Sequence, residues 1–152
     1  TKKMRNYYIV LEMLKGFLEA DPLVNTVTNV DEEVFDMDKK NIYPIVDILC
    51  ESAAISLQTI TFTFTITALD VRDINNAPRT DKFLGNDNKQ DNLNSMLAVL
   101  NRLYKSIAKL GDDFTIVNEP TPEPRVYQNQ NLLDGWQMTL EIETSNTEIA
   151  VC

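Results

Sequence analysis

The stretch "ITFTFTITALDV" constrains this chain more than any other. Ile60, Phe62, Phe64, Ile66 and Ala68 fall on one side of an extended chain, and Thr61, Thr63, Thr65 and Thr67 fall on the other. Side chains alternate across a strand with a period of two, whereas a helix would scatter these residues around its axis. The spacing predicts a half-buried strand, with one face on a core and a threonine face turned to water or to another polar surface. A sheet with one apolar face needs a second layer to cover it.

Two segments can supply that layer. Met4, Tyr7, Tyr8, Leu11, Leu14, Phe17 and Leu18 recur at steps of three and four, which predicts a helix from about Lys2 to Ala20. Asp21-Pro22 ends it, because the residue before proline avoids the helical region. Leu93, Met96, Leu97, Leu100, Leu103, Tyr104 and Ile107 form the stripe of a second helix, with Asp91 as its cap and Gly111 as its stop. Core is the default reading of that stripe.

The other segments read as strands and connections. "LVNTVTNV" is a short β-branched run, and "IYPIVDILC" is a strand opened by Tyr43-Pro44. "SAAIS" either continues it or forms a separate short strand, and "SLQT" is a hairpin turn without the usual glycine. "DFTIV" is a short strand. The last strand carries Trp136, Met138, Leu140 and Ile142 on one face and Gln137, Thr139, Glu141 and Glu143 on the other. Asp134-Gly135 is expected to turn the chain into that strand, with Trp136 as a core anchor. Residues 72–90 and 118–131 read as long loops, the second stiffened by Pro120, Pro122 and Pro124. Phe83 and Leu84 in the first loop either tuck onto the domain or meet a partner. The expectation is a single α+β domain over 1–152, a two-layer sandwich. Its sheet would be mixed and mainly antiparallel, with two helices packed on one face.

Composition supports one domain with a core: 152 residues, 43% hydrophobic and 24% charged. A domain of this size buries roughly 70% of its unfolded surface and needs no metal or disulfide to fold. The chain contains no histidine, which removes the commonest general base and transition-metal ligand. Two isolated cysteines, Cys50 and Cys152, cannot make a zinc site, and Cys50 reads as a small buried hydrophobe. With four glycines, the chain has no phosphate-binding loop, dinucleotide fingerprint or nucleophile elbow.

Two acidic groupings remain. Asp31, Glu32, Glu33, Asp36 and Asp38 form either a solvated connection or a cation site, but the glycine and terminal glutamate of an EF-hand loop are missing. Asp70 and Asp73, with Asp47 or Glu51 on a neighbouring strand, could hold Mg2+ at a sheet end or simply solvate strand termini. A nuclease built on them would need a positive surface, and the net charge is -9. The expectation is a non-enzyme with no cofactor and no metal, which repels nucleic acid and anionic membranes. Lys2, Lys3 and Arg5 precede apolar residues as in a signal peptide, but Glu12 and Lys15 interrupt the run. A soluble chain is expected.

Several segments, taken in order, resemble a family of phage neck and tail-completion proteins, the head-tail connector and tail-terminator-like proteins of Bacteroidetes phages, crAss-like phages among them. They are "DPLVNTVT", "NIYPIVDI", "SAAIS" followed by "ITFTFTITALDV", "DNLNSMLAVLNRLYKSI" and "NLLDGWQMTLEIET". The chain departs from the pattern at Asn29, where glycine is expected, and in the length of 72–90. The resemblance implies a structural protein of the virion neck or tail, made in the bacterial cytoplasm. It would form a ring between portal and tail, with genomic DNA passing through without sequence-specific binding. The implied partners are further copies of itself, portal or connector proteins and tail proteins; the family supplies no catalytic residues. Ring subunits meet through unlike patches, and the loops are natural arms, so Arg72, Arg79, Phe83, Leu84, Arg125 and Tyr127 are the expected interface residues. The alternative is a small intracellular ligand-binding or regulatory module, which calls for a concave apolar pocket.

Overall fold

A computed structural model describes residues 7–28, 44–71, 89–110, 114–128 and 132–145. The elements run α1 (Tyr7–Ala20), β1 (Thr26–Thr28), β2 (Ile45–Ile55), β3 (Thr59–Val71), α2 (Lys89–Ala108), β4 (Thr115–Ile116), β5 (Glu123–Gln128) and β6 (Leu132–Ser145). The expected α+β class is the observed one: a six-stranded, mixed and mostly antiparallel open sheet with two helices against it.

The alternating stretch sits at the centre of the sheet. β3 pairs with β2 on one side and with β6 on the other, both antiparallel. The β3–β6 ladder runs without a slip from Thr59 opposite Ser145 to Val71 opposite Leu133. β1 adds a parallel edge to β2 over Ile45–Asp47. The other flank of β6 is shared end to end, with β5 pairing along Leu132–Gln137 and β4 along Ile142–Glu143.

Register decides which side chains meet. Ile48, Ile66 and Met138 stand in one row, and Cys50, Phe64 and Leu140 in the next. These rows face the helices. Val10, Leu14 and Leu18 of α1 and Met96, Val99, Leu100, Leu103 and Ile107 of α2 close over them in one cluster. Phe64, Ile66 and Leu140 are fully buried, and each contributes about 1.5–3 kcal/mol relative to an exposed side chain. Tyr7 lies over Phe62 and Phe64, with ring centroids 6.0 and 6.3 Å away.

Three polar contacts fix the helices. The Asp21 carboxylate ends α1 and takes a two-pronged hydrogen bond from Arg102 of α2, with Nε–Oδ2 and Nη2–Oδ1 both 2.8 Å. It also accepts the Leu23 N–H at 3.0 Å. Burial alone would raise the Asp21 carboxyl, but the Arg102 hydrogen bonds and charge, with the Leu23 N–H, hold it below its ordinary value. At the start of α2, Trp136 Nε1 donates to the Leu93 carbonyl at 2.8 Å, and Asn92 Nδ2 donates to the Val71 carbonyl at 3.1 Å.

Several expectations need correction. β6 begins at Leu132, so Asp134 and Gly135 lie inside the strand, paired to Asp70 and Leu69, rather than turning the chain into it. A Cβ on Gly135 would sit 1.8 Å from the Ala68 carbonyl oxygen, so close backbone approach, not a turn, requires glycine there. The second expected loop, 118–131, contains β5, because a proline-bearing segment can still serve as a sheet edge. α2 starts at Lys89, within the first expected loop, which places Asp91 in its first turn instead of at the cap. Tyr8 is exposed rather than part of the α1 core face. "SAAIS" continues β2 as far as Ile55 beyond a register shift between Cys50 and Ser52. Residues 2–6 of the first helix, 72–88 of the first loop, the acidic run 31–38, Cys152 and Gly111 lie outside the described residues.

Candidate functional site

The interface residues expected from sequence separate into two groups. Arg72, Arg79, Phe83 and Leu84 lie outside the described residues. Arg125 and Tyr127 fall on β5, and the side chain of Tyr127 is likewise not described. Arg125 is bound to its own sheet. Its Nη2 donates to Gln137 Oε1 at 2.8 Å and reaches Glu123 at 3.5 Å, while Gln137 Nε2 donates to Thr67 Oγ1 at 3.1 Å. This chain of contacts crosses β5, β6 and β3 on the face away from the helices. Thr65 extends it by donating to Glu51 at 2.8 Å.

The acidic candidates do not converge. Asp47 pairs with Thr67 in register and shares its outer face, whereas Asp70 pairs with Asp134 on the helix face. Asp73 lies outside the described residues. Among the described residues no three His, Cys, Asp or Glu side chains come together as metal ligands. Burial raises the Asp70 carboxyl, against the Val71 N–H that it accepts at 2.8 Å, and the facing Asp134 adds to the rise. Cys50 is a free, half-buried thiol. Burial, with the neighbouring Glu51 charge, raises it despite a hydrogen bond to Ser52, so it is poorly ionised at neutral pH.

Two apolar surfaces stand out instead, on opposite flanks of the sheet. The first is the tip of the β2–β3 hairpin. Among the described residues β1 covers the outer edge of β2 only over Ile45–Asp47, and every residue from Glu51 to Gln58 is exposed. Ser56 closes the turn. Its N–H donates to the Thr59 carbonyl at 2.9 Å, and its hydroxyl oxygen accepts the Thr59 N–H at 3.0 Å. The closed turn holds Leu57 98% exposed, with Ile55 at 75% below it. Residues 52–58, "SAAISLQ", carry no ionisable side chain.

The second surface is a groove of about 600 Å3 between α2 and the proline segment before β5. Asn94, Leu97, Asn101 and Tyr104 form one wall, Pro120 and Pro122 the other, and Leu100 and Met138 lie beneath. Leu97 was expected in the core but is 37% exposed at the margin of the stripe. The only charged residue described in the lining is Glu119.

Sequence reasoning missed both surfaces as sites. A leucine at the centre of a hairpin turn, next to an uncharged run, was a legible signal for the first. The groove depends on where the proline segment crosses α2, which no spacing encodes. In comparisons with known proteins, no family model matches the chain, and no curated protein matches it. No helix among the described residues is long and apolar enough to cross a membrane.

Proposed function

We propose that this chain is a structural subunit of a phage neck or tail, which forms a homo-oligomeric ring joining portal and tail and leaves a channel for DNA. The observation that carries the reading is the pair of unlike apolar surfaces on opposite flanks of one sheet. Unlike patches on one subunit generate head-to-tail contacts, and such contacts close into rings when the rotation allows. The segments that resemble neck and tail-completion proteins support it too, since they make up β1, β2, β3, α2 and β6. With a net charge of -9, a ring of such subunits would repel phosphate and let duplex DNA slide.

Mass spectrometry of purified particles tests this reading. The expected result is a protein present in the fixed, low copy number of a ring. Absence from the particle would remove the reading, and retention of duplex DNA by the purified protein at moderate salt would remove the channel argument. The groove beside α2 also favours a second reading, a ligand-binding module. That reading requires a small molecule that raises the melting temperature and is blocked by Leu97→Glu.

A further inference from the structure

We propose that Ile55 and Leu57 at the hairpin tip of one copy seat in the groove between α2 and the Pro120–Pro122 segment of the next copy. The proposal rests on the ring reading and names its mating surfaces. Leu57 is almost wholly exposed on a turn locked by Ser56, so it is presented to a partner without first being ordered. A preordered apolar anchor loses little entropy on docking. The groove offers apolar walls and a volume of about 600 Å3, enough for a knob of two branched side chains.

A second copy suits as the occupant because each chain carries both the apolar tip and the apolar groove, and the charge of the two surfaces allows them to meet. The chain carries -9, so two copies carry a net repulsion that a contact between them must avoid. The tip has no ionisable residue between Ser52 and Gln58, and Glu119 is the one charge described in the groove lining. These are surfaces on which two acidic subunits can meet without like charges in contact. Position agrees: the tip joins β2 to β3, while the groove lies on the β4–β5 side of β6. One copy can therefore use both surfaces at once, as a head-to-tail chain requires. A tip folding into its own groove would have to cross the sheet.

Sedimentation of the full chain and two variants over rising concentration tests this. Leu57→Asp spoils the tip and leaves the groove intact; Leu97→Glu does the reverse. The native chain should associate, and each variant alone should lose about tenfold or more in association constant. An equimolar mixture of the two should form dimers that grow no further, since one good tip meets one good groove. If Leu97→Glu alone still associates, the contact is tip to tip. If Leu57→Asp alone still associates, the tip is not used. Either result overturns the proposal while leaving a ring possible, and a native chain that stays monomeric at millimolar concentration overturns it as well. A photo-crosslinker at position 57 provides a readout independent of the folding of Leu97→Glu. The expected product links two copies through α2 or the 119–122 segment, and a link only between two 57 positions contradicts it.

Discussion

The two ends of the β2–β3 hairpin are built from one continuous pair of strands and live under opposite conditions. At the inner end, Val46, Ile48, Ile66 and Ala68 are sealed beneath the helices. At the outer end, beyond the register shift after Cys50, β2 is exposed from Glu51 to Ile55, and the turn holds Leu57 in water. The two strands stay paired on both sides of that shift; what changes is what covers β2. The inner end determines whether the chain folds. At the outer end Ile60 and Phe62 of β3 still belong to the core, but Ile55 of β2 and Leu57 of the turn are apolar surface that contributes little to folding, which is why they read as a surface for a partner.

Substitutions that break this contrast from the inside should have the largest effects. Gly135→Ala drives a methyl group into the Ala68 carbonyl; the β3–β6 ladder must open, at a cost of about 3 kcal/mol or more in chemical denaturation. Phe64→Ala should cost a similar amount, about 3–5 kcal/mol, through the cavity left beneath Tyr7.

Next comes the helix clamp. Arg102→Ala leaves the Asp21 carboxylate, whose side chain is 6% exposed, without its cation. The loss should be about 2 kcal/mol, tempered because Arg102 is itself half exposed. The sign with pH is fixed. Asp21 is depressed in the folded state, so its stabilisation is complete above the ordinary carboxylate value and fades as pH falls through the lower folded value. The difference between native and variant melting temperatures should therefore shrink in acid. Asp70 runs the other way. Its folded value is raised, so ionising it costs stability as pH rises from the ordinary carboxylate value through the folded one. Asp70→Asn should equal or exceed the native melting temperature at neutral pH and lose that advantage in acid. At the tip, Leu57→Ser should change stability by about 0.5 kcal/mol or less. A large loss there would mean that the tip belongs to the folding core after all.

The strand faces were legible because period-two alternation survives any tertiary setting. Ile60 to Ala68, and Trp136 to Ile142, need only the rule that side chains alternate. Trp136 was placed correctly against the core, but the Leu93 carbonyl it bonds lies 43 residues away and leaves no local trace. β5 was missed because prolines look like loop; pairing to β6 on one flank alone allows them in a strand. The role of Gly135 was misread for a similar reason. A glycine after aspartate resembles a turn, and a close backbone contact across strands has no sequence signature of its own. For the candidate site, arginines and apolar or aromatic residues of the two long loops are what the sequence suggests. Arg125 instead spends its donors on Gln137 and Glu123, while uncharged Leu57 and Ile55 are the most exposed large apolar groups among the described residues.

Electron images of purified particles, averaged at the neck until the β2–β3 hairpin can be traced, test the central claim most directly. The expected image is a closed ring of this chain between portal and tail, with each hairpin tip against α2 of the adjacent copy. A particle without this chain, or a neck in which it stands as isolated monomers, would contradict it.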